Sequence, residues 1–379
     1  MFNRMRVFFL ILLFICSLIS KAQTSDVIDY LKNNSIVLDS SIQDSNDLLE
    51  NLTKFDGYFF GEQHKSTGLI NAQIKIFDML LKKKEVDFCF LEHPISFYRY
   101  YNYYLNDNIS LPIFGQTWDT LEVDNKDIVE LLRHLRIVNI GPNKIKILPI
   151  DVDNNLRYLS YDIFNLMDFD RALENDTMSD GLRHLRITSS KLSRKERKKI
   201  RFVKFKKSVD EHQNTYKRYF GKNYNEACKL IEGGVAYVNS DDDMKNSPDH
   251  FFLINNYYQS KYREDFMFKN IMDVISDSSI FVSFNGHFHI PLNVPEEWVS
   301  IKHWESLAHK IKIANPSKKI CSIYFMNRND DFLAGRYFET EKKMILENLV
   351  MGKTYLLKLD GMNSPFKELS EKFQYIVVW

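Results

Sequence analysis

Four short apolar runs in this chain each end in ionisable residues, and those endings hold the chemistry. The first closes Phe60-Gly61-Glu62-Gln63-His64, the second Phe90-Leu91-Glu92-His93-Pro94. The third closes Pro149-Ile150-Asp151-Val152-Asp153 and the fourth Phe284-Asn285-Gly286-His287-Phe288-His289. Histidine titrates near neutrality and can move a proton, and a neighbouring carboxylate strengthens it as a base. Glu62 and His64 follow a glycine, where the backbone can turn sharply. Glu92 directly follows an apolar stretch, and a carboxylate there needs a partner. His93 faces the other side of its strand or caps the next helix. His287 and His289, two apart on an extended segment, share a face and form a possible metal pair, or one enters the site while the other packs.

A fifth element is helical. In Tyr262-Arg263-Glu264-Asp265-Phe266-Met267-Phe268-Lys269-Asn270, Arg263, Met267, Asn270 and Val274 fall on one face of a helix running to about Ile275. An arginine on a core-facing stripe is costly unless a carboxylate meets it, and Glu62 and Glu92 are the candidate partners. A surface pair along the helix is the alternative.

These residues need a scaffold that brings strand ends together. The runs Gly57–Gly61, Val86–Leu91, Ile145–Ile150 and Ser279–Phe284 read as buried strands, with Ile320–Met326 and Phe373–Trp379 completing a sheet. Helical stripes lie between them, at Thr67–Lys83 and Asp127–Val138. The alternation predicts an α/β fold, a mainly parallel sheet flanked by helices. In such a sheet the C-terminal strand ends share one crevice, where ligands bind. From about 156 to 255 the alternation breaks into an inserted helical layer. Its basic stretch, Lys191–Lys207, reads as a solvated helix face, with an anion- or membrane-binding face as the alternative. Asp241-Asp242-Asp243 lacks the glycine and glutamate of a calcium loop and reads as a loop or helix cap.

The N-terminus has the parts of a secretory signal: Arg4 and Arg6, nine apolar residues from Val7 to Ile15, and Ser20-Lys21-Ala22 before Gln23. Nine residues rise only about 14 Å as a helix, too short to anchor the chain permanently. Residues 1–22 therefore read as a removable signal, with 23–379 as one exported domain, periplasmic or secreted. Lipid attachment at Cys16 is the rival. No later run approaches a membrane span. Removal of residues 1–22 leaves 48 basic against 50 acidic residues, a balance that excludes nucleic-acid binding driven by bulk charge. Cys89, Cys228 and Cys321 remain, an odd number without the spacing of a zinc site or a disulfide framework.

Taken in order, Gly61-Glu62-Gln63-His64, Leu91-Glu92, Asp151, Arg263-Glu264-Asp265-Phe266-Met267-Phe268-Lys269-Asn270 and Gly286-His287-Phe288-His289 resemble the erythromycin esterase-like proteins. More distantly they resemble the superfamily of ChaN haem-binding and TIKI/TraB metalloprotease-like proteins. The ending Lys372–Val378 is similar to that family's last strand, and the resemblance spans roughly residues 50 to 379. It implies a hydrolase of a small-molecule ester in which a histidine activates water without a covalent enzyme intermediate. On that reading His64 is the base, Glu62 and Glu92 orient it, and Arg263 braces the carboxylates. His287 or His289 binds the carbonyl oxygen or a second proton, while Asp151, Asn270 and His93 line the substrate. No cofactor is expected. The alternatives are haem, stacked on the aromatic run Phe97–Tyr104, or a divalent transition metal held by His64, His287 and His289. The sequence departs from the family at His93-Pro94, and the helical insertion has no match, so macrolide specificity does not follow.

Overall fold

The computed structural model describes residues 26–38, 47–62, 68–105, 126–140, 144–153, 156–167, 200–246, 261–293, 305–328, 339–359 and 363–379. The candidate signal peptide and Cys16 lie outside them. At the centre is an eight-stranded sheet: β1 (Ser35–Val37), β2 (Gly57–Glu62), β3 (Phe88–Pro94), β4 (Lys146–Asp151), β5 (Phe281–Gly286), β6 (Ile320–Met326), β7 (Tyr355–Lys358) and β8 (Tyr375–Val378). Their order across the sheet is β1-β7-β8-β6-β2-β5-β3-β4. From β8 to β4 all neighbours are parallel, and only the β7 pairings with β1 and β8 are antiparallel. The fold is thus a mainly parallel α/β sheet flanked by helices.

The parallel strands are apolar on both faces because both are covered; every residue of β5 and β6 is buried. One face carries Tyr58, Phe60, Cys89, Leu91, Val282 and Phe284, packed under the helices Leu69–Leu81, Tyr98–Leu105 and Lys126–Val138. The opposite face carries Phe59, Phe90, Phe281 and Tyr324, packed against the helices Lys261–Met272, Leu307–Ala314 and Glu339–Asn348. A third apolar cluster joins the inserted helices Leu156–Asn165, Phe205–Glu211, Gln213–Phe220 and Tyr224–Asn246 to Ile95 and Phe266. The described end of the basic stretch turns Phe202 and Phe205 inward, while Lys206 and Lys207 pair along the helix with Asp210 and Glu211. Asp241, Asp242 and Asp243 fall within the Tyr224–Asn246 helix rather than in a loop or cap.

Chain order reverses around β2. After β2 the chain builds β3 and β4 on one side, returns to insert β5 between β2 and β3, then crosses to β6 and β8 on the other side. Such a reversal opens a crevice at the C-terminal strand ends. Two glycines shape the chain at the end of β2 and beyond it. A Cβ on Gly61 would sit 2.2 Å from Ile290 Cδ1, so any larger residue there would force Ile290 to move. Gly68, at φ +80°, starts the Leu69–Leu81 helix from a left-handed conformation that glycine adopts without strain. Among the described residues no helix is long and apolar enough to cross a membrane. Cys89 and Cys321 are buried and Cys228 half-buried, all as free thiols.

Candidate active site

Arg263 is the hub. It projects from the first turn of the Lys261–Met272 helix and is 3 % exposed. Its Nε donates to Asp151 Oδ1 at 2.7 Å and its Nη2 to Asp151 Oδ2 at 2.6 Å, a two-point grip on the end of β4. Nη2 also donates to Glu92 Oε1 at 2.5 Å, and the other oxygen of Glu92 accepts from the Gly286 amide at 2.5 Å. The ends of β3, β4 and β5 are therefore tied together through one guanidinium. Burial opposes its charge, but Asp151 and Glu92 more than restore it and hold Arg263 well above its ordinary range.

The partners of Arg263 match the expected ones in part. Glu92, one of the two expected partners, does pair with it, and Asp151, which was not expected in this role, makes the two-point grip because β4 lies beside β3. The side chain of Glu62 and all of His64 lie outside the described residues, although Glu62 ends β2 and Gly68 opens the following helix. Asp151 and Asn270, expected to line the substrate, are engaged within the protein. Asp151 spends both oxygens on Arg263 and also accepts from the Val152 amide at 2.7 Å. Asn270 donates to the Ile150 carbonyl at 2.9 Å and so pins the helix to β4. Both position the hub.

The two histidines after β5 part company. His287–His289 is a single 3₁₀ turn, and at three residues per turn positions two apart diverge instead of sharing a face. His289, 1 % exposed, enters the network: Nδ1 bonds Glu264 Oε1, and Nε2 lies 3.2 Å from Glu92 Oε1. Burial opposes the imidazolium, but Glu264 and Glu92 outweigh it and raise His289 to about 10. The ring is accordingly a cation at neutral pH, donating from both nitrogens. Its 3.2 Å approach to Arg263 Nη1 is then a meeting of two cations, tolerated because three carboxylates surround them. With both nitrogens on carboxylates, His289 is not placed to donate to a carbonyl oxygen or to ligate a metal. His287, half-buried, rests on Phe288 with ring centroids 4.1 Å apart and faces Tyr324 at 6.4 Å. Among the described residues no group of three or more His, Cys, Asp or Glu side chains could hold a metal ion.

Glu264 went unread as a site residue. It neighbours Arg263 on the helix, so sequence periodicity turns the two apart, yet both are buried. The signal was the sparse polarity of Phe266-Met267-Phe268 beyond them, which marks a helix buried around most of its girth. Among the described residues, Glu264 Oε2 and Asn285 Nδ2 are buried without a hydrogen-bond partner. His93 bonds through Nδ1 to the hydroxyl of Tyr101. The aromatic run is split by its helix: Phe97, Tyr101 and Tyr104 join the core, while Tyr98 and Tyr103 are exposed.

Behind the hub, Asp153 turns to the Ser96 amide at 3.3 Å. Burial drives its carboxyl up to about 7, with Asp151 adding to the rise and the Ser96 bonds opposing it. Asp162 reaches about 7 for the same reason, with Asp153 next in effect. Between the ordinary carboxyl range and about 7, folded Asp153 holds a proton that the unfolded chain has released. Stability therefore falls as pH rises through that window. Asp153→Asn should leave stability at pH 4 nearly unchanged and raise it by about 1–3 kcal/mol at pH 8, in urea titrations at both pH values. An equal change at both would contradict the assignment.

Three solved structures share this fold. A Bacillus cereus protein aligns with TM-score 0.61 at 12 % identity, covering 94 % of this chain and 97 % of its own. A mutant of the erythromycin esterase EreC, in its open conformation, aligns at 0.62 and 11 % identity, covering 88 % and 92 %. A succinoglycan biosynthesis protein aligns at 0.62 and 14 % identity, covering 94 % and 96 %. At these identities the likeness is one of fold. No family model and no curated protein matches the sequence.

Proposed function

We propose that this chain is a hydrolase that activates water with a histidine to cleave an ester-like bond in a small molecule, acting outside the cytoplasm after residues 1–22 are removed. The observation that carries the reading is the Asp151–Arg263–Glu92–His289–Glu264 network. Five ionisable side chains are drawn together at the C-terminal ends of β3, β4 and β5, where this topology opens its crevice. Burying so much charge costs stability, and sites of that kind are characteristic of function. The fold shared with an erythromycin esterase supports an ester as the substrate class.

In this reading His64 takes a proton from water, and the hydroxide so formed attacks the carbonyl carbon. The tetrahedral oxyanion then expels the alcohol, which recovers the proton from His64. Glu62 and Glu92 hold the base and its conjugate acid, and Arg263 fixes Glu92. The protein needs no metal for these steps, and with both nitrogens of His289 on carboxylates the alternative metal set is left with His64 and His287.

The test is elemental analysis and a visible spectrum of the purified mature protein, with an ester panel run in the presence of chelator. Metal-free, colourless protein that still turns over an ester is the expected result. A stoichiometric transition metal whose removal abolishes turnover, or a haem band, would replace this reading with a metal-dependent peptidase or a haem-binding protein.

A further inference from the structure

We propose that the inserted helical layer is a proton-controlled cover, closed at its seam with the sheet while Asp153 and Asp162 are protonated and loosened there as they ionise. The device is separate from the ester chemistry and acts on access to the same strand ends. Its seam lies directly beyond them. Ile95, just after β3, and Val152, between Asp151 and Asp153, belong to one apolar cluster with Leu159 and Ile163 of the helix Leu156–Asn165 and Ile231 of the helix Tyr224–Asn246. The approach is close: a Cβ on Gly233 would lie 3.1 Å from Cζ of Phe266 and 3.4 Å from Cγ2 of Ile95. Into this seam the sheet and the layer each bring a carboxyl. Asp153 follows β4 and is 2 % exposed, and Asp162 stands on the helix Leu156–Asn165 and is 9 % exposed.

Little positive charge is available to hold two carboxylates there. Asp153 Oδ2 accepts from the Ser96 amide at 3.3 Å, and Arg99 has its Nε 3.6 Å from Glu226 Oε1. Among the described residues neither Asp153 nor Asp162 lies within ion-pair distance of a cation. A buried carboxyl in that position keeps its proton rather than its charge. Burial is the largest effect on both and lifts each to about 7. The neighbouring elements modulate it. At Asp153 the Ser96 bonds, from the turn Ile95–Phe97, oppose the rise and Asp151 adds to it. At Asp162 the charge of Asp153 adds most after burial, Arg99 of the helix Tyr98–Leu105 opposes, and Glu226 of the helix Tyr224–Asn246 adds a little. Tyr100 is raised by burial and then by Asp162, and Glu226 by burial with Arg99 opposing. A proton kept in the closed seam to about 7 is released in the ordinary carboxyl range once the seam opens. Closure therefore weakens as pH rises from that range to about 7, by about tenfold per pH unit for each proton released.

Amide hydrogen exchange of the full-length protein, with rates corrected for the intrinsic effect of pH, tests this without a substrate, so the hydrolase reading stands or falls separately. Between pH 5 and pH 8 the opening of peptides from Leu156–Asn165 should rise by about tenfold or more, while peptides from β5 and β6 stay within about threefold. The double variant Asp153→Asn with Asp162→Asn keeps both shapes without the charge. It should hold the helix as closed at pH 8 as the wild type does at pH 5. Asp162→Asn alone should remove part of the pH dependence, and it carries the test if the double variant does not fold. Equal protection of the helix at both pH values, or variants as sensitive to pH as the wild type, would overturn the proposal. So would β5 and β6 opening in step with the helix, which would mark unfolding of the whole domain rather than of the seam.

Discussion

Arg263→Met should destabilise the protein by about 3–5 kcal/mol, the range seen when one partner of a buried ion pair is removed. The side chain is 3 % exposed and is bonded to Asp151 and Glu92, which are themselves largely buried. Methionine fills much of the volume, so the loss measures charge rather than cavity. Without the guanidinium, three carboxylates face His289 alone, and the cheapest escape is for one of them to take up a proton. The deficit should therefore shrink at pH 5 relative to pH 8. Arg263→Lys should recover only part, because a point charge cannot reproduce the two-point grip on Asp151. Urea titrations of the three proteins at both pH values measure these differences. A methionine variant within 1 kcal/mol of wild type at pH 8 would show that the hub does not bind the strand ends together.

His289→Gln should cost about 3 kcal/mol near pH 6, since it removes two charge-assisted hydrogen bonds from a side chain that is 1 % exposed. The dependence on pH distinguishes this from a packing defect. The unfolded histidine releases its proton near 6.5, whereas the folded one holds it to about 10. Its contribution is complete below 6.5 and is lost as pH rises through 10. The gap between wild type and variant should thus narrow steadily over that interval. A gap that stays constant from pH 6 to pH 10 would mean that His289 is neutral in the folded protein, and the charge balance of the cluster would have to be redrawn.

The sheet was largely legible because buried parallel strands announce themselves as apolar runs. β6 has the predicted bounds, and β2, β3, β4, β5 and β8 lie within a few residues of them. β1 and β7 were not, because three or four residues at an antiparallel edge carry too little pattern and exist by pairing with each other and with β8. The site shows the same division. That Glu62, Glu92, Asp151, Arg263 and a histidine after β5 belong to strand ends and one helix face could be read from spacing. That Asp151 would join Glu92 on Arg263 could not, since that depends on β4 pairing beside β3 in the folded sheet. The choice between His287 and His289 depended on a 3₁₀ turn where an extended segment was expected. Glu264 was hidden because periodicity assigns a residue to a face, and this helix is buried on more than one.

In the proposed mechanism His64 is the base that activates water. The direct test is ester hydrolysis by chelator-treated wild type and His64→Ala, with far-UV circular dichroism as the control for folding. A general base typically contributes about 10²- to 10⁴-fold. Loss of activity on that scale, with an unchanged spectrum, is the predicted result; full activity in the variant would contradict the mechanism.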